Sequence, residues 1–464
     1  MRSSWLAASL ILVVVLIGWI GVRHEASAEL QRGLAHFRAN LPPGATFSYD
    51  RAYPRLLARG AGFTNVRFVN GETIVTASSL TVNNPSGVVS TGLHLSKVHA
   101  QDLHIEGDRS VDVKSITLTG LELPAIGADT EPVTDLPDAS LLKFRSGKVA
   151  HFHLTDSNLG CEAEIAAVNL DNYARHQGGA YSLKDANFHC EHSPIPSLIK
   201  IPNASDAMAG HVDDLHGSGI DLALNMERLE QDATPSSDLR SEPQNSAGEL
   251  SNAWFTQGNL RIDLPHMKNR YSGTGHIVNA YVELDGVRVS RDQQALVPAL
   301  ASGGPAHIVI DSSIDTQAHT AHSMENIDVP TLASMEIMLD LDHLPDGNGA
   351  PQAWMNMRIV RINIGYHDIS LIDRLLHHQA EKQQISPEQL REQIALGGAV
   401  ATAALPGLAA IPAYIVHPDG RTIQLTLAPP EPMSVLEFGS KYHWRNLQAQ
   451  PELVQPPALT VDIH

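Results

Sequence analysis

The sequence predicts a mainly β protein: elongated, curved, largely antiparallel sheets behind an N-terminal transmembrane helix, with a short helical insertion near the C-terminus. Three observations predict it. An apolar-x-apolar-x-x-apolar-x-apolar pattern recurs at Val75, Ala77, Leu80 and Val82; at Leu93, Leu95, Val98 and Ala100; and at Val111, Val113, Ile116 and Leu118. It returns at Ala163, Ile165, Val168 and Leu170; at Val282, Leu284, Val287 and Val289; and at Met357, Ile359, Ile362 and Ile364. Period-two spacing within each apolar pair is that of a strand with one buried face. Second, Gly, Pro, Asn and Asp punctuate these segments as turn residues do. Third, Trp5 to Val22 is an uncharged run of eighteen residues, a bilayer-spanning length.

In chain order, residues 1–43 form the anchor and an exit helix. A signal peptide cleaved near Ala26-Ser27-Ala28 is the rival reading, but its apolar region is usually shorter, about 7 to 15 residues, so an uncleaved anchor is favoured. Leu30, Leu34, Phe37 and Leu41 continue with helical spacing until Leu41-Pro42-Pro43-Gly44 ends the helix. Arg2 on one side and Arg23 and Arg32 on the other leave the orientation open on charge alone. Residues 44–125 form a first β region, with Thr46 to Tyr49, Phe63 to Val69 and three copies of the pattern, broken at Asn83-Asn84-Pro85 and Glu106-Gly107-Asp108. The x-x step inside each copy turns the following side chains to the other face unless a bulge or kink restores them. Asp285-Gly286 is the one copy that offers a good two-residue hairpin turn.

Pro124 to Ala139 is a linker, and residues 140–230 form a second β region, interrupted at Ser193 to Gly210 and resuming at Ile220, Leu222 and Leu224. Gln231 to Asn252 is polar and reads as a mobile loop. A third β region, 253–366, holds Leu260, Ile262 and Leu264, Ala306 to Ile310, and Met335, Ile337, Leu339 and Leu341. Residues 367–416 are helical: Asp368 can cap a helix carrying Leu371, Ile372, Leu375 and Leu376, and Ser386-Pro387-Glu388-Gln389 is a capping box. Ile394 to Val416 carries no charge, but its Ala and Gly content and Pro406 and Pro412 make it a buried or lipid-grazing segment rather than a span. Residues 417–464 supply final strands at Ile423, Leu425 and Leu427 and at Leu459, Val461 and Ile463.

A formal charge of −19 over 464 residues argues against a nucleic-acid partner, which needs clustered Lys and Arg. Anionic headgroups would be repelled as well, so a membrane contact has to be apolar and local. Cys161 and Cys190 are the only cysteines. An even pair suits an oxidising compartment, where a bridge closing about thirty residues contributes on the order of 3 to 4 kcal/mol. Two unpaired core thiols are the alternative. Their spacing to His189 and His192 is not that of a zinc site.

Twenty-four histidines invite metal or acid–base chemistry. His151 and His153 share a strand face but lack a completing ligand. His211, Asp213, Asp214 and His216 form the densest ligand cluster and read as a polar turn before a strand at Ile220. His319 and His322 fall in a loop-like stretch, and His377 and His378 on the solvated face of the late helix. Leu215-His216-Gly217-Ser218-Gly219 lacks the glycines that must flank a nucleophilic serine two residues either side. Gly303-Gly304-Pro305 and Gly397-Gly398 lack the remaining parts of a phosphate loop. No catalytic residue, no metal ligand set and no cofactor is expected.

The single anchor, Leu41-Pro42-Pro43-Gly44 followed by Phe47-Ser48-Tyr49, and the strand pattern together resemble bacterial AsmA-like envelope proteins. Tyr366-His367-Asp368-Ile369-Ser370-Leu371, Pro418-Asp419-Gly420 and Leu427-Ala428-Pro429-Pro430-Glu431-Pro432 look like uncharacterised members of that broad group, built on a domain of unknown function. The resemblance carries over no catalytic residue. It implies a single-pass inner-membrane protein with its bulk in the periplasm, holding lipid or another hydrophobic envelope component on an apolar sheet face. The other expectation is a structural or assembly partner of other envelope proteins that binds no lipid.

Overall fold

The computed structural model describes residues 34, 35, 38, 44–55, 59–71, 73–88, 92–107, 109–123, 141–157, 160–192, 207–231, 245–258, 260–289, 304–344, 357–404, 408–434, 437 and 458–464, with backbone alone at 88, 227–231 and 400–404. The run Trp5 to Val22 and the linker Pro124 to Ala139 lie outside the described residues, as does most of the exit helix, of which Leu34 is buried. Among the described residues no helix is long and apolar enough to cross a membrane. The protein is mainly β, antiparallel and open-sheeted, and divides into two units: Met1–Ala233 with Ser246–Gly258, and Thr234–Asn245 with Asn259–His464.

The first unit contains β1 (Thr46–Ser48), β2 (Arg51–Arg55), β3 (Gly60–Asn70), β4 (Thr73–Val88), β5 (Gly92–Glu106), β6 (Ser110–Leu123), β7 (Phe144–Asp156), β8 (Cys161–Tyr173), β9 (Gly179–Cys190), β10 (Met208–Ile220), helix α1 (Leu222–Gln231) and β11 (Ser246–Gln257). β1 and β2 both pair with β3, and from there each strand pairs with the next as far as β11.

The recurring pattern acquires its meaning in this meander. Residues paired across an antiparallel ladder share a face, and faces alternate along each strand. Val75, Ala77, Leu80 and Val82 of β4 are all buried, so the alternation reverses between Ala77 and Leu80. A bulge would shift the register. None occurs: Val66 stays opposite Ala77 and Thr64 opposite Ser79, with Asn65 and Ser78 between them. Neighbouring strands reverse at the same level, at Asp102, Lys114, His151, Ala166, Asp185, Asp213 and Asn252 on β5 to β11. On every second strand a left-handed residue makes the reversal: Asn65, Asp102, His151, Asp185 and Asn252 have φ between 47° and 50°. Asn and Asp tolerate this conformation better than other side chains do.

A second crease runs parallel to the first, through Asn84, Ser96, Gly120, Arg145 and Asn172, and its left-handed residues fall on the other set of strands, at Asn84 (φ 45°), Gly120 (φ 61°) and Asn172 (φ 55°). Thus β4 runs straight through Asn83-Asn84-Pro85, which is a crease and not the break expected there.

The second unit contains β12 (Leu260–Thr274), β13 (Ile277–Val289), β14 (Ala306–Asp315), β15 (Thr320–Val329), β16 (Ala333–Asp342), β17 (Arg358–Asp368), α2 (Leu371–Gln383), α3 (Pro387–Ala404), α4 (Ala410–Val416), β18 (Thr422–Leu427), β19 (Met433–Ser434) and β20 (Leu459–Ile463). Its strands also form an antiparallel meander from β12 to β17; β18 and the short β19 pair with β17, and β20 with β18. Asp285-Gly286 is not a turn but lies within β13, where Gly286 (φ 78°) approaches Pro265 of β12. The copies in β13 and β17 do contain bulges: Asp285 faces His307 and Val287 faces Ala306, leaving Gly286 unmatched towards β14, and Asp340 faces Arg361 and Leu341 faces Ile359, leaving Val360 unmatched.

Four further expectations change. Residues 211–216 are strand and not turn, because β9 and β11 flank β10 on both sides and Met208 and Gly210 supply its buried face. Leu222 and Leu224 belong to a helix, since Asp221 accepts the Leu224 N–H (2.8 Å) and the His176 N–H (2.6 Å) and so caps α1. The polar stretch 231–252 ends early, with β11 beginning at Ser246. His322 lies in β15, not in a loop.

Cys161 and Cys190 are opposite one another on β8 and β9, Cα atoms 4.0 Å apart, and are joined as a disulfide. Cys190→Ser should lower unfolding stability by about 3 kcal/mol, from the loop that the bridge closes; an unchanged denaturant midpoint under oxidising conditions would sink that estimate. His151 tests the creases, because no described group bonds to it. His151→Val should cost about 1–2 kcal/mol and His151→Gly little or nothing. Equal losses in both variants, measured by chemical denaturation, would place the constraint in the side chain instead of the backbone.

Candidate functional site

The two units treat their apolar faces differently. In the first, the inward residues of β3 to β6 close into one core with Phe47, Leu34 and Ala223; Phe63, Phe68, Val75, Leu80, Val82, Leu95 and Leu121 are all at most 2% exposed. The cavity left among Val66, Ala77, Leu80, Val98, Leu103 and Ile116 measures only about 10 Å³, about the room one water needs. Nothing the size of a ligand fits there.

In the second unit the register assembles an apolar face of comparable extent that stays half-buried. One level runs Val282, Ile310, Glu325, Ile337, Ile364, Leu425 and Val461 across seven strands. The adjacent level runs Ala280, Ser312, Ser323, Leu339, Ile362, Leu427 and Leu459, and the next on the other side Leu284, Ile308, Ile327, Met335, Tyr366, Ile423 and Ile463. Of these only Leu427 and Leu459 are fully buried, packed with Leu408 at the edge beside α4.

The helices fasten to that edge through one tyrosine. Tyr414 of α4 is 2% exposed; its Oη accepts the Asp368 N–H (3.1 Å) and points its proton at the Arg421 (2.9 Å) and Tyr366 (3.2 Å) carbonyls. Tyr366 meets it ring edge to face and donates its own hydroxyl to Asp368 (2.7 Å), whose carboxylate also accepts the Ile372 N–H at the start of α2. The capping box of α3 is formed in both directions, Ser386 N–H to Gln389 (3.0 Å) and Gln389 N–H to Ser386 Oγ (3.2 Å). Gly398 lets α3 and α4 touch, since a Cβ there would lie 2.4 Å from Pro412.

The opposite face of the second unit is polar. A depression of about 370 Å³ is lined by Asn326, Asp328, Glu336, Asn363, His367 and Gln424, with Gly365 leaving the space open. Most of the histidines singled out from sequence lie on such outward surfaces and are spent on local pairs, His151 and His378 being the exceptions. His153 bonds Glu162 (2.8 Å) and His322 bonds Asp340 (2.7 Å). His211 bonds Asn187 and Asp213, and the His211 and Asn252 bonds hold the Asp213 carboxyl below its usual range. His216 turns instead to Asp214 (2.7 Å), so the densest sequence cluster separates into two pairs along an exposed ladder. His319 sits in the turn before β15 with its ring on the Leu344 carbonyl. His377 is solvated, whereas His378 is half-buried and its Nε2 has no partner among the described residues, contrary to the solvated position expected for it. Among the described residues no group of three or more His, Cys, Asp or Glu could hold a metal ion. Sequence reasoning missed Glu325, a lone acid among apolar alternations, whose placement requires the register.

A family model described as an uncharacterized protein matches residues 315–461, which take in β15 to β18, the helices and the polar depression. No curated protein and no solved structure matches the chain.

Burial raises the Tyr366 hydroxyl above its ordinary titration, and its bond to Asp368 adds to the shift; burial raises Tyr414 too. Both contribute stability in full below the unfolded tyrosine pKa near 10, and that stability is lost as pH climbs further and the unfolded phenols ionise. Near-ultraviolet circular dichroism should therefore report loss of tertiary structure above about pH 10, and Tyr366→Phe should weaken that dependence. An unaltered alkaline transition in Tyr366→Phe would count against the lock.

Proposed function

We propose that this is a non-enzymatic envelope protein, anchored in the inner membrane through Trp5–Val22 with its bulk in the periplasm, that holds lipid or another hydrophobic envelope component on the apolar sheet face of its second unit. The observation that carries this reading is the half-buried state of Ile308, Ile310, Ile337, Ile364 and Leu425, five aliphatic side chains on one continuous surface. Large exposed apolar patches on a protein mark sites of association. An acyl chain laid across those strands would bury them at about 25 cal/mol per Å² of apolar surface. The joined Cys161–Cys190 pair accords with an oxidising compartment. The charge of −19 disfavours anionic headgroups, so the acyl chain has to be held by apolar contact.

The test is extraction of the full chain from membranes in a mild detergent, followed by mass spectrometry of bound lipid, with Ile310→Asp and Ile337→Asp as variants. Lipid above background in the parent protein and its loss in both variants is the expected result. No lipid above background, together with stable protein complexes on crosslinking, would replace this reading with the assembly role.

A further inference from the structure

Glu325 stands where an apolar side chain belongs. On β15 it shares a face with Ala321, Ser323 and Ile327, and its direct neighbours across the ladders are Ile310 and Ile337. The only other carboxylate which the register of β13 to β20 places on that face is Asp368, buried at its edge and engaged by Tyr366 and Ile372. Glu325 is half-buried and receives no hydrogen bond or ion pair from any described residue. One step along the strand, the Ser312 and Ser323 hydroxyls bond each other at 2.8 Å, so the middle of the face carries a small polar spot ringed by Ile, Leu and Met.

A closed apolar core would leave this carboxylate dry and uncompensated, which proteins avoid by pairing or neutralising the group. An amphiphile on the face changes the balance. Its chain covers Ile310, Ile337 and Ile364, and a positive head placed at Glu325 supplies the missing partner. We propose that Glu325 selects the occupant of this face: an amphiphile whose head carries a protonated amine, bound with its ammonium on the Glu325 carboxylate and with the Ser312–Ser323 hydroxyls beside it. This rests on the lipid-holding reading and adds to it the charge of the ligand's head and its orientation. A neutral or anionic head gains nothing from the carboxylate, and an anionic one is repelled by it.

The probes are dodecylamine and dodecanol carrying the same photoreactive diazirine in the chain, offered to the full-length protein in phosphatidylcholine nanodiscs at pH 7, with labelled peptides mapped to strands. Dodecylamine should label β14 to β17 about tenfold more than dodecanol, equivalent to about 1.4 kcal/mol. Glu325→Gln should level the two probes while retaining the parent's thermal unfolding, and Asp340→Asn, on the opposite face, should keep the preference. Equal labelling in the parent, or a preference that survives Glu325→Gln, overturns the role of Glu325 and leaves an apolar face that holds chains indiscriminately. Absence of both probes from β14 to β17 overturns the lipid-holding reading and this inference with it.

Discussion

Antiparallel pairing obliges neighbouring strands to agree on which residues face inward, and every other feature of the first unit follows from that constraint. A strand whose alternation reverses must be met at the same level by a strand that also reverses, or one apolar row ends up in water. The chain satisfies this nine times over, from Asn65 on β3 to Asn252 on β11. The reversal is shared between backbones, so the ladder keeps its register. Left-handed residues on alternate strands suffice because each one serves the pair of ladders on its two sides.

The creases also explain why such different residues occupy equivalent places. Asn65, Asp102, His151, Asp185 and Asn252 have in common only a tolerance of positive φ and an outward side chain. Three of these side chains bond residues on neighbouring segments: Asn65 donates to Asp50 at 2.6 Å, Ser78 and Lys114 both bond Asp102, and Asn252 donates to Asp213 at 2.9 Å. The hydrogen bonds from Lys114 and Ser78 hold the Asp102 carboxyl below its usual range. These pairs are exposed, where ion pairs add little stability. The fold depends on the burial beneath them, with Phe63, Leu80 and Leu95 sealed from water.

The second unit lacks that closure along its middle strands, and there the same alternation presents a surface. Its edge is secured by α4: Tyr414 brings β17 and the approach to β18 to one hydroxyl group, and the Asp368 carboxylate ties in the start of α2. A face half-covered at one end and half-buried elsewhere is suited to a ligand in a way the filled core of the first unit is not. Glu325 is consistent with this difference, since a carboxylate without a partner is tolerable only where water or a charged ligand can reach it.

Much of the architecture was legible from residue order, because burial on one face imposes its period on the sequence: Val75 to Val82, Leu93 to Ala100 and Ile423 to Leu427 announce strands, and Ser386 to Gln389 announces a helix start. The capping boxes and alternations are local, so local residues determine them. Misreadings arose where a distant neighbour decided. His211 to His216 has the composition of a turn, and it is strand because β9 and β11 hold both of its edges. Leu222 and Leu224 alternate like a strand, and they are helix because Asp221 caps them and the consecutive residues Ala223 and Leu224 are both buried, which strand alternation does not allow. By itself the sequence determined that β-structure dominates, which residues face inward and where the alternation reverses. Only the tertiary structure decided that the reversals align into creases, that one apolar face is filled while the other stays open, and that Glu325 lies in the midst of the open one. Those are matters of register, set by which strands meet, and register depends on residues far apart in the chain.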